Sequence, residues 1–320
     1  MVYLAYVFCL LSLNFSSFLI ADAETAATPM YYMKTASIVN EEVVFESDND
    51  FEEAIKVGFF RIKAPQDLDL EVGRIFARTF TSDLRYREFG VLDVVNGYLK
   101  SDVAQTVRFT LERDNWDKCH VDQKETIGEP NYPVNVQKLG QQMAEMGVVI
   151  LQSILRRYQL PEDLWFEATG GSSNLEGSHF LLFNCYDPKL GDRTDGVGAH
   201  KDWGSITVLD APDPGLEAEI DGVWKSLHME DGYLTINFGY CLEKLLPGVK
   251  ASNHRVVTQK EKMRISTVLF TDPRVGFFRN SDKVGYVYDW DPMEKKLIHG
   301  EPTTTFFEAL SNKLYGSKQD

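Results

Sequence analysis

Between residues 178 and 271 the chain is cut into short runs of β-branched and aromatic residues by Gly, Pro and Asp turns. No other feature restricts the fold as much. The runs are SHFLLFNCY (178–186), SITVLD (205–210), GLEAEI (215–220), GVWKSL (222–227), YLTINF (233–238), HRVVT (254–258) and RISTVLFT (264–271). Segments this short bury an apolar face only by pairing, so their regular spacing predicts antiparallel strands in a sandwich or barrel. Helical periodicity lies upstream. Asp48-Asn49-Asp50 precedes FEEAIKVGFF as an N-cap and short helix, and Phe59 to Lys63 reads as a strand. A helix is predicted within 66–83, from Leu68, Leu70, Val72, Ile75, Phe76 and Phe80. A longer one spans 133–158, where Leu139, Met143, Met146, Val149, Ile150 and Ile154 recur at helical steps. Pro161 opens another short helix, ended by Gly170-Gly171. Residues 84–132 show no clear period and are read as loops with a short helix. Residues 303–314 predict a closing helix.

The length of 320 residues suits one large domain or two small ones, and 43% hydrophobic residues can fill a sizeable core. A formal charge of -15 repels phosphate backbones, which excludes nucleic acid as a partner. Of the four cysteines, none lies in a CxxC pair or at zinc-like spacing. Cys185 and Cys241 have apolar neighbours and are read as small buried hydrophobes. The first 20 residues carry no charged side chain, and Ala21-Asp22-Ala23 follows. Residues 1–23 are therefore read as a secretory signal peptide, with an N-terminal anchor as the rival, and residues 24–35 as a tether. Processing would leave no membrane span. Localisation is the secretory pathway if residues 1–23 are cleaved, and the cytoplasm otherwise.

Three features of the β-rich region carry chemistry. His200 and Asp202 are two apart at an expected strand start, where i and i+2 share a face and can share a metal. His254 opens a later strand, HRVV. Two imidazoles and one carboxylate leave half of an octahedral coordination sphere open, the arrangement of non-haem Fe(II) oxygenases. Arg264 and Ser266 follow ten and twelve residues after His254, again at i and i+2. A guanidinium beside a hydroxyl makes a carboxylate receptor, and Arg on an apolar strand calls for a buried anion.

These residues resemble the iron(II)/2-oxoglutarate-dependent dioxygenase superfamily, in its isopenicillin-N-synthase-like branch. The matching motifs are His200-Lys201-Asp202, the distal His254, Arg264-Ile265-Ser266 and Asn184-Cys185-Tyr186. The likeness spans roughly 36–315, strongest over 178–275 and faint over 84–132. It implies an α+β, mainly β fold: a double-stranded β-helix (jelly-roll) core over 171–315, with residues 36–170 packing on it and helices flanking. It further implies that His200, Asp202 and His254 bind Fe(II). Arg264 and Ser266 would bind the distal carboxylate of 2-oxoglutarate, with Tyr186 adding a hydroxyl and Asn184 nearby. O₂ would be the oxidant and ascorbate an auxiliary reductant. The implied reaction hydroxylates a small-molecule substrate with release of succinate and CO₂; desaturation and ring closure are variants.

The family's middle residue in HxD is small and polar, whereas here it is Lys201, expected to point away from the metal into solvent, with an acidic substrate group as its other reading. His179 is read as a satisfied core residue, with the cavity as its other reading. Trp203 and Phe270 are read as core packing, with the substrate pocket as the alternative. Two further functions share these motifs: an Fe(II) oxidase in which Arg264 and Ser266 bind the substrate's own carboxylate, and a non-catalytic jelly-roll binding protein.

Overall fold

The computed structural model describes residues 28–87, 97–111, 132–190, 195–258, 261–274 and 286–302. The signal-peptide reading, the closing helix at 303–314, Cys9, Cys119 and His120 lie outside them. Strands in chain order are β1 (Met30–Tyr31), β2 (Thr35–Val39), β3 (Glu42–Phe45), β4 (Phe59–Lys63), β5 (Gly97–Lys100), β6 (Gln105–Thr110), β7 (Ser178–Tyr186) and β8 (Asp195–His200). They continue with β9 (Ile206–Asp210), β10 (Leu216–Ile220), β11 (Val223–Leu227), β12 (Tyr233–Phe238), β13 (His254–Val257), β14 (Arg264–Asp272), β15 (Tyr286–Asp291) and β16 (Lys296–Pro302). Helices are α1 (Asp48–Val57), α2 (Leu70–Thr79), α3 (Leu84–Arg87), α4 (Val134–Arg157), α5 (Trp165–Ala168) and α6 (Tyr240–Leu245).

Among the described residues two sheets face each other. One has the order β1-β11-β10-β13-β8, the other β3-β2-β4-β12-β9-β14-β7-β6-β5. Apart from the β10–β11 hairpin, strands β7 to β14 alternate between the two sheets as the chain advances, which is the jelly roll. The space between the sheets is filled from both by Leu182, Tyr186, Leu209, Val268, Leu216, Ala218 and Val256. The outer face of the larger sheet is covered by helices. In α4, Met143, Ile150, Leu151, Ile154 and Leu155 are fully buried against it. Each such side chain stabilises the fold by about 1.5–3 kcal/mol. Ser47 rather than the expected Asp48-Asn49-Asp50 caps α1, accepting from Asp50 N, and those three residues form its first turn.

Several elements depart from the sequence reading. The tether is shorter than expected, because Met30–Tyr31 pairs in parallel with Ser226–Leu227 and Met33 is buried. Residues 36–170 do more than pack on the core: β2 to β6 extend the jelly roll's own sheet. The stretch 84–132 contains two strands, β5 and β6, paired to each other and, through β6, to β7. The β2–β3 hairpin turns through Asn40 and Glu41, both in left-handed backbone (φ 49° and 61°), without the glycine that would mark such a turn.

Arg74 of α2 clamps the outer face of β9. Its Nε and Nη2 donate to Asp210 Oδ2 and Oδ1, each at 2.9 Å, and Asp210 is buried. Burial pushes the Asp210 carboxyl upward, and Arg74 pulls it part of the way back. Arg74→Ala leaves that carboxylate buried without its partner, and the expected loss is about 3 kcal/mol. A folded-state pKa above the ordinary 3.8 favours folding at low pH and costs stability as pH rises. The variant's deficit, read by urea melts, is therefore larger at pH 7 than at pH 5.

Candidate metal centre

The two histidines meet across the smaller sheet. His254 and His200 are direct register partners on β13 and β8, with ring centroids 4.3 Å apart. An antiparallel pairing places opposite Cβ atoms about 5 Å apart, so the ladder itself brings the imidazoles together. The third group arrives differently from the strand-start expectation. His200 is the last residue of β8, and Asp202 lies in the loop beyond it. Tyr240 N donates to Asp202 O at 2.8 Å and Gly239 N to Ser205 O at 2.9 Å, so the entry to α6 clamps this loop.

Asp202 Oδ1 lies 3.5 Å from His200 Nε2 and 3.6 Å from His254 Nε2. The donor atoms of the three residues all fall within 4.8 Å of one another. The other carboxylate oxygen is committed: Oδ2 accepts from Thr207 Oγ1 at 2.6 Å and Asn237 Nδ2 at 2.5 Å. Asp202 therefore offers a single ligand atom. Each imidazole is oriented through its far nitrogen. His200 Nδ1 donates to Gly198 O at 2.9 Å and His254 Nδ1 to Ser252 O at 3.1 Å. A carbonyl only accepts, so both Nδ1 atoms carry the proton and both Nε2 lone pairs turn to the shared centre. Phe59 packs edge-on against His254, with centroids 5.7 Å apart.

The electrostatics suit a cation. Burial holds His254 down to about 4, with His200 adding to the fall, so its imidazole is neutral and free to ligate. For His200 burial also acts downward, but the Asp202 carboxylate outweighs it and the net shift is upward. Burial would raise Asp202, yet the two imidazoles and Thr207 hold it below the usual carboxylate range. Two neutral-capable imidazoles and one monodentate carboxylate fit a divalent first-row metal such as Fe(II).

Arg264 and Ser266 sit on the inner face of β14, both buried, as the i and i+2 spacing predicted. Arg264 Nε donates to Pro214 O at 3.2 Å, while its buried Nη1 has no hydrogen-bond partner among the described residues. Burial pulls Arg264 below its ordinary value, and nearby Tyr186 and Asp213 offset only part of that. A guanidinium stays charged even so, and the open Nη1 fits an incoming carboxylate. Tyr186 is Arg264's register partner, with the guanidinium 5.2 Å from its ring centroid. Burial raises the phenol's pKa, against the pull of Arg264 and Ser266, so it stays neutral and can donate.

Asn184 is tied into the same surface. Its Nδ2 donates to Ser266 Oγ at 3.1 Å and its Oδ1 accepts from Thr106 Oγ1 at 2.8 Å. Because Asn184 occupies a lone pair of Ser266, the serine proton is left to donate to a ligand.

Lys201 is not free in solvent. Its Nζ donates to both carboxylate oxygens of Glu243, at 3.0 and 2.9 Å, turned away from the tripod. His179 lies on the outer face of β7, its Nε2 bonded to Asn174 O at 2.8 Å, so it does not face the cavity. Phe270 stacks on Phe180 between the sheets, with centroids 4.7 Å apart. Cys185 and Cys241 are buried, as read, and unbridged among the described residues, and burial pushes the Cys185 thiol up to about 11.

The sequence reading missed Thr207, Asn237 and Thr106. Their signal was a polar residue at an inward position of an otherwise apolar strand, which burial makes informative. Gly239 supports the centre sterically, since a Cβ there would lie 2.0 Å from Gly204 O. Gly239→Ala must push back the Asp202 loop. Its expected effect is a roughly 10- to 100-fold loss of metal affinity, read by iron titration.

The sequence profile of the 2OG-Fe(II) oxygenase superfamily matches residues 177–273. Gibberellin 20 oxidase 5 of Arabidopsis thaliana is 38% identical over 102 residues, 31% of this chain and 26% of that protein. Scopoletin 8-hydroxylase of the same plant is 38% identical over 139 residues, 42% of this chain and 36% of that protein. The matched stretch thus spans well under half the length of these relatives. The structure of JOX2 in complex with 2OG, Fe and JA superposes with a TM-score of 0.59 at 17% identity, covering 96% of this chain and 93% of that one. The profile's span contains the tripod and its neighbouring arginine, so residues 177–273 of this chain are similar to the 2OG-Fe(II) oxygenase superfamily, and the fold is shared with the JOX2 structure.

Proposed function

We propose that the protein is an Fe(II)- and 2-oxoglutarate-dependent oxygenase that hydroxylates a small-molecule substrate. The observation that carries this reading is the pairing of an open-sided His200–Asp202–His254 tripod with the unsatisfied, buried Nη1 of Arg264. When bound, Fe(II) with 2-oxoglutarate and O₂ supplies oxidative decarboxylation of the oxo acid to succinate and CO₂, coupled to oxygen insertion into a substrate C–H bond.

The protein's own groups do the positioning. His200, Asp202 and His254 would hold the ion through two Nε2 atoms and one Oδ1. Thr207 and Asn237 keep Asp202 from turning its second oxygen inward. Arg264, Ser266 and Tyr186 would grip the distal carboxylate, with Asn184 orienting the Ser266 hydroxyl. The apolar lining of Leu182, Leu209 and Val268 keeps water away from the reacting centre. A relative named as a hydroxylase and a neighbour solved with 2OG and Fe support the same outcome and co-substrate. The charge-free run at residues 1–20, with Ala21-Asp22-Ala23 behind it, supports a cleaved secretory leader, which N-terminal sequencing of the mature protein tests.

The function is tested by supplying the Fe(II)-loaded protein with 2-oxoglutarate, O₂ and ascorbate. The expected result is succinate release that requires all three ligand residues. Consumption of no oxo acid by iron-loaded protein contradicts the reading.

A further inference from the structure

The loop that carries Asp202 is held to helix α6 along its backbone. Tyr240 N donates to Asp202 O at 2.8 Å, and Cys241 N to both Trp203 O and Gly204 O at 3.1 Å. One side chain adds to these backbone bonds. Lys201 stands between two of the three ligands, and its Nζ reaches Glu243 on α6, donating to Oε1 at 3.0 Å and to Oε2 at 2.9 Å. The ammonium also lies 5.2 Å from the Tyr240 ring centroid. Glu243 has a second partner. Its Oε1 accepts from Ala251 N at 3.2 Å, three residues before His254.

Glu243 thereby ties together the two stretches that deliver the ligands. One carries His200 and Asp202. The other leads into His254, whose Nδ1 donates to Ser252 O at 3.1 Å. The histidines are already fixed to each other by the register of β13 on β8. Asp202 is not, because it lies in the loop beyond β8, where no strand ladder holds it. The Lys201–Glu243 pair therefore acts where the tripod has the most freedom. Its chemistry is also matched. The buried Ala251 needs an acceptor for its N–H, and a carboxylate that turns inward to accept it needs a counter-charge. An ion pair open to water adds little to stability, since solvent screens it and two long side chains lose freedom. Lys201 and Glu243 side chains are each 25% exposed, so the pair's effect falls on where the loop sits rather than on the melting temperature.

We propose that Lys201 and Glu243 are positioning residues of the metal centre, a brace that joins the Asp202 loop to the approach of His254 so that the three donor atoms meet before the ion arrives. This rests on the tripod reading above. Neither side chain ligates the ion. Lys201 is turned away from the tripod, and Glu243 commits its oxygens to Lys201 and Ala251. Their contribution is to hold Asp202 Oδ1 at its place opposite the two imidazoles, and so to slow loss of the metal.

The test uses the full chain and Co(II), whose visible bands report on its ligands without turnover. Wild-type protein that takes up no Co(II) would sink the tripod reading, and the brace with it. With the ion bound, Lys201→Met is expected to release it to a chelator roughly 10-fold faster, at the low end of what partners of metal ligands contribute. The melting temperature of the metal-free protein should move little. Lys201→Arg still pairs with the carboxylate and is expected to recover most of the slow release. Glu243→Gln, the milder change should Lys201→Met fail to fold, keeps an acceptor but loses the charge, and is expected to speed release by a smaller factor. Combining Lys201→Met with Glu243→Gln should release the ion no faster than Lys201→Met, because the first cut already opens the brace. A pair that serves stability alone would lower the melting temperature and leave the release rate and the Co(II) bands at wild-type values, which overturns the proposal. Single effects that multiply in the combined variant overturn it equally.

Discussion

Asp202→Ala protein is expected to emerge without iron and to release no succinate. The carboxylate is the only anionic ligand of the tripod, and its Oδ1 faces both Nε2 atoms at 3.5 and 3.6 Å. Changes merely adjacent to a metal ligand cost about 10- to 100-fold in affinity, so deleting the ligand should cost more than about 100-fold. The same change strands two buried donors, Thr207 Oγ1 and Asn237 Nδ2, at about 1–3 kcal/mol each. Iron content must therefore be read beside a thermal melt. Asp202→Asn separates the two effects, because it keeps the volume while removing the charge. It is expected to fold with a smaller loss of stability than Asp202→Ala, and still to lose iron. Full iron occupancy in Asp202→Ala would contradict the tripod.

Arg264→Ala is expected to spare iron and to lose 2-oxoglutarate. A charge-assisted hydrogen bond contributes about 1.5–3 kcal/mol, and a bidentate grip makes two. The expected rise in KM for 2-oxoglutarate is therefore on the order of 100- to 1000-fold. Iron stoichiometry should hold, because Arg264 touches none of the three ligands. Arg264→Lys should recover part of the loss, as a point charge without the fork. An unchanged KM for the oxo acid would instead assign Arg264 to a structural pairing with Pro214 O, which accepts from its Nε at 3.2 Å.

The site was more legible than the fold around it. His200, Asp202, His254, Arg264 and Ser266 could be found by spacing, because each stands where a period-2 strand or its flank must aim it inward. Strands such as ITVLD and YLTINF were legible for the same reason: β-branched residues alternate between bounding turns. The strand that delivers His200 was not. DGVGAH carries two glycines and one β-branched residue, and its pairing with β13 is imposed by the ladder rather than by propensity. Strands β5 and β6 were hidden in the same way, since GYLK and QTVRFT gain their identity only by pairing outward from β7. The HxD segment closes a strand rather than starting one, because its loop is shaped by residues distant in sequence: Tyr240 N holds Asp202 O, and Asn237 holds its side chain. Lys201 found Glu243 for the same reason, 42 residues away, where local pattern gives no warning.

The central claim is that one ferrous ion and one 2-oxoglutarate share a centre built by His200, Asp202, His254 and Arg264. Titrating 2-oxoglutarate into the anaerobic Fe(II) protein tests it most directly, through the visible charge-transfer absorption of a chelated oxo acid. The predicted result is a band that saturates at one oxo acid per iron, vanishes in Asp202→Ala and needs far higher oxo-acid concentrations in Arg264→Ala. Iron that binds the folded protein yet gives no band at any 2-oxoglutarate concentration would contradict the account.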